Sequence, residues 1–518
     1  MDLSYDTNPP GSNALPGHNG EALALKGPEP HDKADNQNDM ADDGGGAGKE
    51  SQSNDRIVAP KPNALWHTPN REAWATVFGR HYPVPSDEFR HWFSGQFFKL
   101  NGGPVGRNRL DEFVNTYSAK ALFEGPQHRV HLRVAQQDGA VWLDLADAEN
   151  RAIRIDKEGW LVVPAGKVAP KFFRPPNMRP LPRPLRGEAD VSLLRKVLNL
   201  PNEDTFRLLL IWLSFIIIPD QPYPVIAVSG PAGAAKSSFA KLVRTTIDPN
   251  EVPMIGMPRG QDLAAHAKNN PILCFDNLSA IKPSLADDLC RLATGGGLGG
   301  RRLYTDNAEA TFTAQRPIIL TGINDVATRG DLADRSIMVR LDRISEAERR
   351  TDAEIREAFA LDHPRILAAL LDMVVTGLRR LDDVRRERRR LPRMADFARW
   401  GYAVAPAVGW SVEGFERAYR ANRNEAFEAV IEDDPIAPHI LNLLEGLPDK
   451  AWQGTTEQLW TRLKNTAGEA ARAFEFPQNA AVLGKALRRI EPALGAHGVN
   501  MERERVTAGT RITLWARA

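Results

Sequence analysis

Lys236 and Ser237, preceded by Gly230-Pro231-Ala232-Gly233-Ala234-Ala235, are the residues best suited to chemistry in this chain. Small residues let backbone N–H groups approach phosphate oxygens, and a helix starting at the Lys-Ser pair aims its positive end at them. Lys236 would then reach the β- and γ-phosphates, and Ser237 would ligate Mg2+. Such a loop needs a strand before it and a helix after it. The apolar run Val225-Ile226-Ala227-Val228 reads as a buried strand and Ser238–Arg244 as the helix. Gly230, Gly233, Ala235, Lys236, Ser237 and Ser238 are accordingly assigned to the phosphate cradle. Ala235 stands where the motif asks for Gly, and the expectation is a near-helical φ there, since only positive φ penalises a Cβ strongly.

A second group lies about forty residues on. In Ile272-Leu-Cys-Phe-Asp276-Asn277 an apolar strand ends in a carboxylate. In a parallel sheet that places Asp276 at the carboxyl edge beside the phosphate loop, where Mg2+ needs an oxygen ligand.

The remaining chain sets the frame. Its 518 residues are too many for one core, so several domains are expected. A net charge of +1 marks no global attraction to nucleic acid, so any basic surface must be local. Two cysteines, Cys274 and Cys290, define neither a disulfide framework nor a metal site and suit a reducing compartment. The apolar run Leu208–Ile218 is far short of the roughly 20 residues that span a bilayer, and no secretion signal is read. A cytoplasmic location in a bacterial or phage-infected cell is expected, with no membrane partner.

Residues 1–55 are rich in Gly, Asp, Asn, Pro and Ser and read as a disordered tail. Residues 56–190 read as a small α+β domain of unassigned role. It holds a helix over Ser86–Leu100, a hairpin turning at Asp138-Gly139, a second hairpin around Glu158-Gly159, and a Pro-rich linker Phe173–Pro184. Residues 191–345 alternate helix and strand as in a three-layer sheet, with a hairpin over Arg301–Thr313 and strands at Ile318–Thr321 and Ile337–Leu341. Residues 346–435 are almost wholly helical. Their Arg-rich run, Arg379–Arg393, also contains Asp382, Asp383 and Glu387 and suits a solvated face. Residues 436–518 read as three helices and a two-stranded ribbon, the order of a winged helix.

This order of motifs resembles an AAA+ ATPase, and more closely the ATPase modules of phage and mobile-element replication proteins. Those are relatives of superfamily-three and minichromosome-maintenance helicases, often joined to primase domains. The resemblance rests on Gly230–Ser237, on Ile272–Asn277, on Pro317-Ile-Ile-Leu-Thr-Gly-Ile-Asn324-Asp, and on Ala327-Thr-Arg329-Gly-Asp-Leu-Ala-Asp-Arg335. Phe275-Asp-Asn-Leu-Ser, Arg302-Leu-Tyr-Thr-Asp and Arg393-Met-Ala-Asp-Phe-Ala-Arg-Trp carry it further, and it covers residues 190–420 well. It implies an α/β P-loop NTPase core with a helical lid, ATP and Mg2+, and a homo-oligomer in the form of a hexameric ring. It also implies DNA as partner, single-stranded in a pore and duplex at the winged helix, with a primase as a further candidate partner.

By that resemblance Thr321 or Asn324 would be the sensor that positions water, and Arg335 the finger that reaches a neighbour's γ-phosphate, with Arg329 in reserve. Arg393 or Arg399 would be a second sensor in the lid. Many relatives carry Glu after the Asp of the second motif; here it is Asn277, which can orient water but cannot take its proton. Arg301, Arg302 and Tyr304 on the hairpin offer phosphate attraction and a stacking face for a single strand. Lys485, Arg488 and Arg489 on one helix, with Arg503, Arg505 and Arg511 on the ribbon, offer a duplex-contacting surface. The leading expectation is a DNA helicase or translocase. A helicase loader or replication initiator is the first rival, favoured by Asn277, and a non-enzymatic nucleotide switch is the second.

Overall fold

The computed structural model describes residues 57–166, 169–258, 261–279, 281–301, 309–327, 329–387, 389–473, 475–507 and 509–516, without the side chains of 261, 298–301 and 309–313. The expected tail, 1–55, lies outside the described residues, as does the expected hairpin turn at Asp306-Asn307.

The first part of the chain builds two small sheets. Strands β1 (Ala64–His67), β2 (Ala73–Val77) and β3 (Arg80–Pro83) form an antiparallel sheet. Helix α1 (Asp87–Asn101) starts at Ser86, whose hydroxyl accepts from the Phe89 N–H, and buries Phe89, Phe93 and Phe97 along one face. Helix α2 (Arg107–Phe123) follows and was not legible from its mixed composition. After the short β4 (Val130–His131) come β5 (Val134–Gln137), β6 (Ala140–Asp144), β7 (Arg151–Asp156) and β8 (Gly159–Pro164), an antiparallel meander. Its first turn is Asp138-Gly139, both at positive φ, the geometry that twists a tight hairpin correctly. Strand β9 (Lys171–Phe172) pairs parallel with β4.

The Pro-rich run 173–184 is extended, as expected, but it is not a free linker. Met178 and Leu181 are buried, the Leu181 N–H donates to Leu145 O, and the Arg179 N–H donates to Pro249 O. It is stitched to the meander on one side and to the residues around Pro249 on the other.

The helical stretch after it is broken before Pro201 into α3 (Ser192–Arg195) and α4 (Glu203–Phe215). Every residue of α4 from Leu208 to Phe215 is buried, so its apolar surface runs all round. Then follow β10 (Val225–Ser229), α5 (Lys236–Ile247), α6 (Gln261–Asn269), β11 (Leu273–Leu278), α7 (Pro283–Thr294), β12 (Gly297–Arg301), β13 (Glu309–Thr313), β14 (Ile318–Gly322), α8 (Gly330–Ala333) and β15 (Ser336–Arg340). The order β11-β14-β10-β15 makes a parallel sheet, and Ile255 adds a single parallel bridge to Phe275 at its β11 edge. Strands β12 and β13 form a separate antiparallel hairpin.

Alternate residues of the parallel strands serve opposite faces. Ile226, Val228, Ile319, Ile337 and Val339 join a core with α4, α5, α9 (Asp352–Arg386) and α10 (Ala395–Val404). Val225, Ala227, Leu320 and Met338 join a second core with α7, α8 and α11 (Val412–Asp433). Strands buried on both faces read as unbroken apolar runs, which is how they stood out in the sequence. The outer edge of β15 is met by a side chain: Asn422 of α11 donates to Met338 O at 2.8 Å and accepts from the Met338 N–H at 2.9 Å.

The second core continues into the C-terminal part: α12 (Ala437–Glu445), β16 (Ala451–Thr455), α13 (Thr456–Ala467), α14 (Ala480–Ala496), β17 (Val499–Val506) and β18 (Gly509–Ala516). Its sheet order is β16-β18-β17. The third strand, β16, was absent from the sequence reading, because Ala-Trp-Gln-Gly-Thr is short and ends in a residue that caps the next helix.

Candidate functional site

The phosphate loop leaves the sheet between β10 and α5. At Gly230 φ is +148°, and a Cβ there would stand 2.4 Å from Leu341 O, so only glycine fits. Gly233 follows at φ +84°. Ala235 has φ +60° and ψ +33°, the left-handed region. This corrects the expectation of a near-helical φ: the loop needs the conformation a glycine would take, and Ala235 bears a cost of about 1–2 kcal/mol for it. Helix α5 has no side-chain cap, so the N–H groups of its first turn face the loop unshielded.

The loop residues are held in different directions. Lys236 Nζ donates to Gly230 O at 2.6 Å and to Pro231 O at 2.9 Å, which lays the ammonium across the loop mouth. Ser238 Oγ instead donates to Asp352 Oδ1 at 3.0 Å, so its hydroxyl is turned to the start of α9. Outside the loop, Asn199 Nδ2 donates to Ala234 O at 3.2 Å.

Beside it three side chains from three elements converge. Ser237 Oγ lies 3.0 and 3.1 Å from the two carboxylate oxygens of Asp276. Thr321 Oγ1, at the end of β14, donates to Asp276 Oδ1 at 2.5 Å and accepts from the Asn277 N–H at 3.1 Å. The β11–β14 ladder slips between Phe275 and Leu278, and Asn277 takes φ +56°, a value Asn tolerates better than most residues. The Asn277 side chain is exposed. Hydroxyl and carboxylate oxygens are the donors a hard divalent cation takes, and Ser237 with Asp276 supplies both within one hydrogen bond of each other. Asn324 is exposed on the loop after β14, so of the two sensor candidates it is Thr321 that touches Asp276.

Two residues near the loop were missed by the sequence reading. Asp325 accepts from Ser229 Oγ at 2.6 Å and from Arg340 at 2.9 Å, and Arg340 also pairs with Glu425 of α11 at 3.1 Å. This puts a second carboxylate at the sheet's carboxyl edge. Arg349 lies over the loop: a Cβ added at Gly233 would meet its guanidinium at 3.1 Å. Arg349 is exposed and has no carboxylate partner among the described residues. Asp325 had a signal, its place just after Asn324; Arg349 had none, since it approaches only through the fold.

Arg335 stands at the other end of the sheet. Ser336 pairs with Val225, whereas the phosphate loop leaves from Ser229, opposite Arg340. Arg335 is therefore a strand length, roughly 16 Å, from its own loop. It donates to Asp331 O at 2.7 Å and pairs with the Asp331 carboxylate at 3.3 Å. Arg393 is brought to the same place, 3.6 Å from Asp331 and 3.8 Å from Asp334, and not to the phosphate loop of its own chain. Arg329 lies 3.9 Å from Asp287. Arg399 is half-buried on α10.

Of the expected nucleic-acid contacts, Lys485 and Arg488 are exposed on α14. Arg489 is committed to Asp434 at 2.9 Å. On the ribbon Arg503 pairs with Glu491 at 2.7 Å and Arg511 with Glu504 at 3.1 Å, which weakens its positive field. Arg302 and Tyr304 lie outside the described residues, as does the side chain of Arg301. Burial pushes the Cys274 thiol up to about 12 and raises Cys290 as well, so neither thiol is reactive at neutral pH. No helix among the described residues is long and apolar enough to cross a membrane.

Among solved structures the chain is similar, at 12% identity, to the C-terminal region of NrS-1 in its apo A form, with 88% of this chain and 96% of that one aligned and a TM-score of 0.38. It is similar, also at 12% identity, to a structure described as SCCmec type IV Cch, active helicase, over 88% and 93% of the two chains, with a TM-score of 0.47. A JCV helicase complex aligns over 43% and 66% at 13% identity, with a TM-score of 0.20. No curated protein matches the chain by sequence. Residues 191–427 match the family model of the actinomycete integrative conjugative element replication protein, and residues 436–517 match that of the C-terminal domain of the same proteins. Across both the parallel sheet with its phosphate loop and the C-terminal helices and ribbon, this chain is thus similar to replication proteins of actinomycete mobile elements.

Proposed function

We propose that the chain is an ATP-dependent DNA helicase or translocase serving replication of a mobile genetic element. The observation that carries this reading is the Ser237–Asp276–Thr321 cluster beside a loop whose lysine lies across its mouth. In this reading residues 191–345 are an AAA+-type core, 346–435 its helical lid and 436–518 a winged helix; the order helix, strand, two helices and ribbon supports the last.

The loop N–H groups, the α5 terminus and Lys236 would hold the phosphates, and Ser237 and Asp276 would hold Mg2+, which when bound neutralises charge on the β- and γ-oxygens. Thr321 fixes the Asp276 carboxylate. Arg335 cannot serve its own loop from the opposite sheet edge, so its role as a finger requires a second copy, which supports a ring with composite sites. The hairpin β12–β13 would grip a single strand in the pore, and Lys485 and Arg488 would contact duplex. The test is strand separation of a forked DNA by wild-type and Lys236→Ala protein; equal unwinding by both ends the proposal.

A second reading is a helicase loader or initiator. It is favoured by Asn277, which puts an amide where a carboxylate would take a proton from water. It calls for ATP-dependent assembly on duplex without processive unwinding.

A further inference from the structure

A cleft of about 1120 Å3 lies between the N-terminal domain and the amino edge of the parallel sheet, on the side away from the phosphate loop. We propose that this cleft binds single-stranded nucleic acid and leads it to the β12–β13 hairpin.

Its charge supports an anionic occupant. Two of the cationic side chains lining the cleft are already neutralised: Lys268 pairs with Glu72 at 2.7 Å, and Arg133 pairs with Asp248 at 3.2 Å. Arg71, Arg129 and Arg316 have no carboxylate partner among the described residues. Arg71 lies over the Phe123 ring, and Arg316 donates to the carbonyls of Ala267 and Gln315. Asp220 is the one lining carboxylate without an ion pair among the described residues, and its charge acts on His131 and Arg316 of the same wall. Burial pushes His131 on this wall below the usual imidazole range; Asp220 opposes that, and Arg129 and Arg316 add to it. His131 therefore adds no positive charge at neutral pH, and the wall's positive charge is carried by guanidiniums.

Two donors in the wall, Trp74 Nε1 and Arg133 Nε, are buried and have no hydrogen-bond acceptor among the described residues, so the wall behind the guanidiniums is short of acceptors. The cleft, at about 1120 Å3, stands just past the upper end of the roughly 300–1,000 Å3 typical of small-molecule pockets and has room for more than one nucleotide. Its position gives a direction. Gly295, just before β12, and Ala314 and Gln315, just after β13, line its far end, so the cleft opens at the root of the hairpin. The Lys268–Glu72 pair spans it from α6 to the N-terminal domain and would act as a strap over a bound strand.

The test uses the full chain and a fluorescent fifteen-residue oligo-dT, titrated at several salt concentrations without nucleotide. Arg71 and Arg129 are exposed, so the double variant R71A/R129A is expected to fold, checked by circular dichroism. To remove the C-terminal contribution, the comparison is made in a K485E/R488E background. The expected result is a loss of affinity of roughly tenfold or more and a salt slope shallower by roughly 1 per arginine removed. Binding of Mg-nucleotide should be unchanged, which separates this site from the phosphate loop. A 4-thiothymidine oligonucleotide should crosslink to segments 68–74, 129–134 or 173. Unchanged affinity and slope would overturn the proposal, as would crosslinks confined to 295–316 and 480–516. Equal competition by dTMP and by the oligonucleotide would overturn it in favour of a free nucleotide.

Discussion

Arg133, just before β5, reaches Asp248 at the end of the phosphate-loop helix, with 3.2 Å between guanidinium and carboxylate and both side chains essentially without solvent contact. Arg244 of α5 holds the other carboxylate oxygen at 2.9 Å, so one carboxylate sits between two buried guanidiniums. Carbonyls of Asp144, Arg179, Val252 and Pro253 take up further N–H groups. The chain before β5 is thereby fastened to the far end of the helix whose near end faces the phosphate loop.

Removing the shared carboxylate leaves two buried cations unpaired, whereas removing Arg133 leaves Asp248 still paired with Arg244. Asp248→Ala should therefore destabilise by about 3–5 kcal/mol, the usual cost of breaking a buried pair, and Arg133→Ala by less. Urea unfolding monitored by tryptophan fluorescence checks the ranking; the reverse order would refute it.

Ala235→Gly should not behave like an ordinary alanine-to-glycine change. The left-handed backbone costs alanine about 1–2 kcal/mol, and the extra unfolded-state freedom of glycine returns about 0.4–1 kcal/mol of that. The expected outcome is neutral to about 1.6 kcal/mol more stable, read as an unchanged or raised Tm. A clear loss of stability would contradict the backbone assignment.

Asn277→Glu restores a proton acceptor next to Asp276. Under the proposed ATPase reading kcat should rise, by up to the roughly 10²–10⁴-fold that general-base catalysis contributes, while KM changes little. Steady-state phosphate release measures it. No change in kcat would mean that another group, with Asp325 the nearest carboxylate identified at this edge, already fills the role.

Lys236→Ala and Arg335→Ala proteins should each lose hydrolysis, the second by roughly three decades or more with nucleotide binding retained. Mixed together they should recover about a quarter of wild-type activity, because random heterologous assembly pairs an intact loop with an intact finger at that frequency. No recovery on mixing would show that Arg335 does not act across subunits.

His363 is buried, its Nε2 3.0 Å from Thr246 O, and burial pushes its pKa down to about 4. Between about 4 and the ordinary 6.5 the unfolded chain binds more protons than the folded one. The stability contributed by the neutral ring is therefore full above about 6.5 and is lost as pH falls towards 4, at up to about 1.4 kcal/mol per pH unit. His363→Gln keeps a donor and cannot titrate, so its stability should depend less on pH across that window. Parallel curves for the two proteins would refute this.

The phosphate loop and the strand ending at Asp276 were legible because each is a local pattern: an apolar run, a turn of small residues, a polar residue at a strand end. The hairpin at Asp138-Gly139 was legible for the same reason. What was not legible depended on packing. Whether Thr321 or Asn324 touches Asp276 is decided by the slip of the β11–β14 ladder, which no window of sequence contains. Arg393 looked free to visit the nucleotide until the fold placed it beside Asp331. Helix α2 lacks a strong apolar stripe, and β16 is too short to alternate convincingly. The left-handed backbone of Ala235 was misjudged because alanine rarely signals it.

The amide of Asn422 stands where another strand would otherwise zip onto β15, since it occupies both main-chain groups of Met338. A neighbouring copy cannot extend the sheet across that point. In the proposed ring, contacts at this margin would instead run through side chains, which would let protomers tilt and separate without breaking a ladder, and the same amide guards an otherwise adhesive strand against runaway polymerisation.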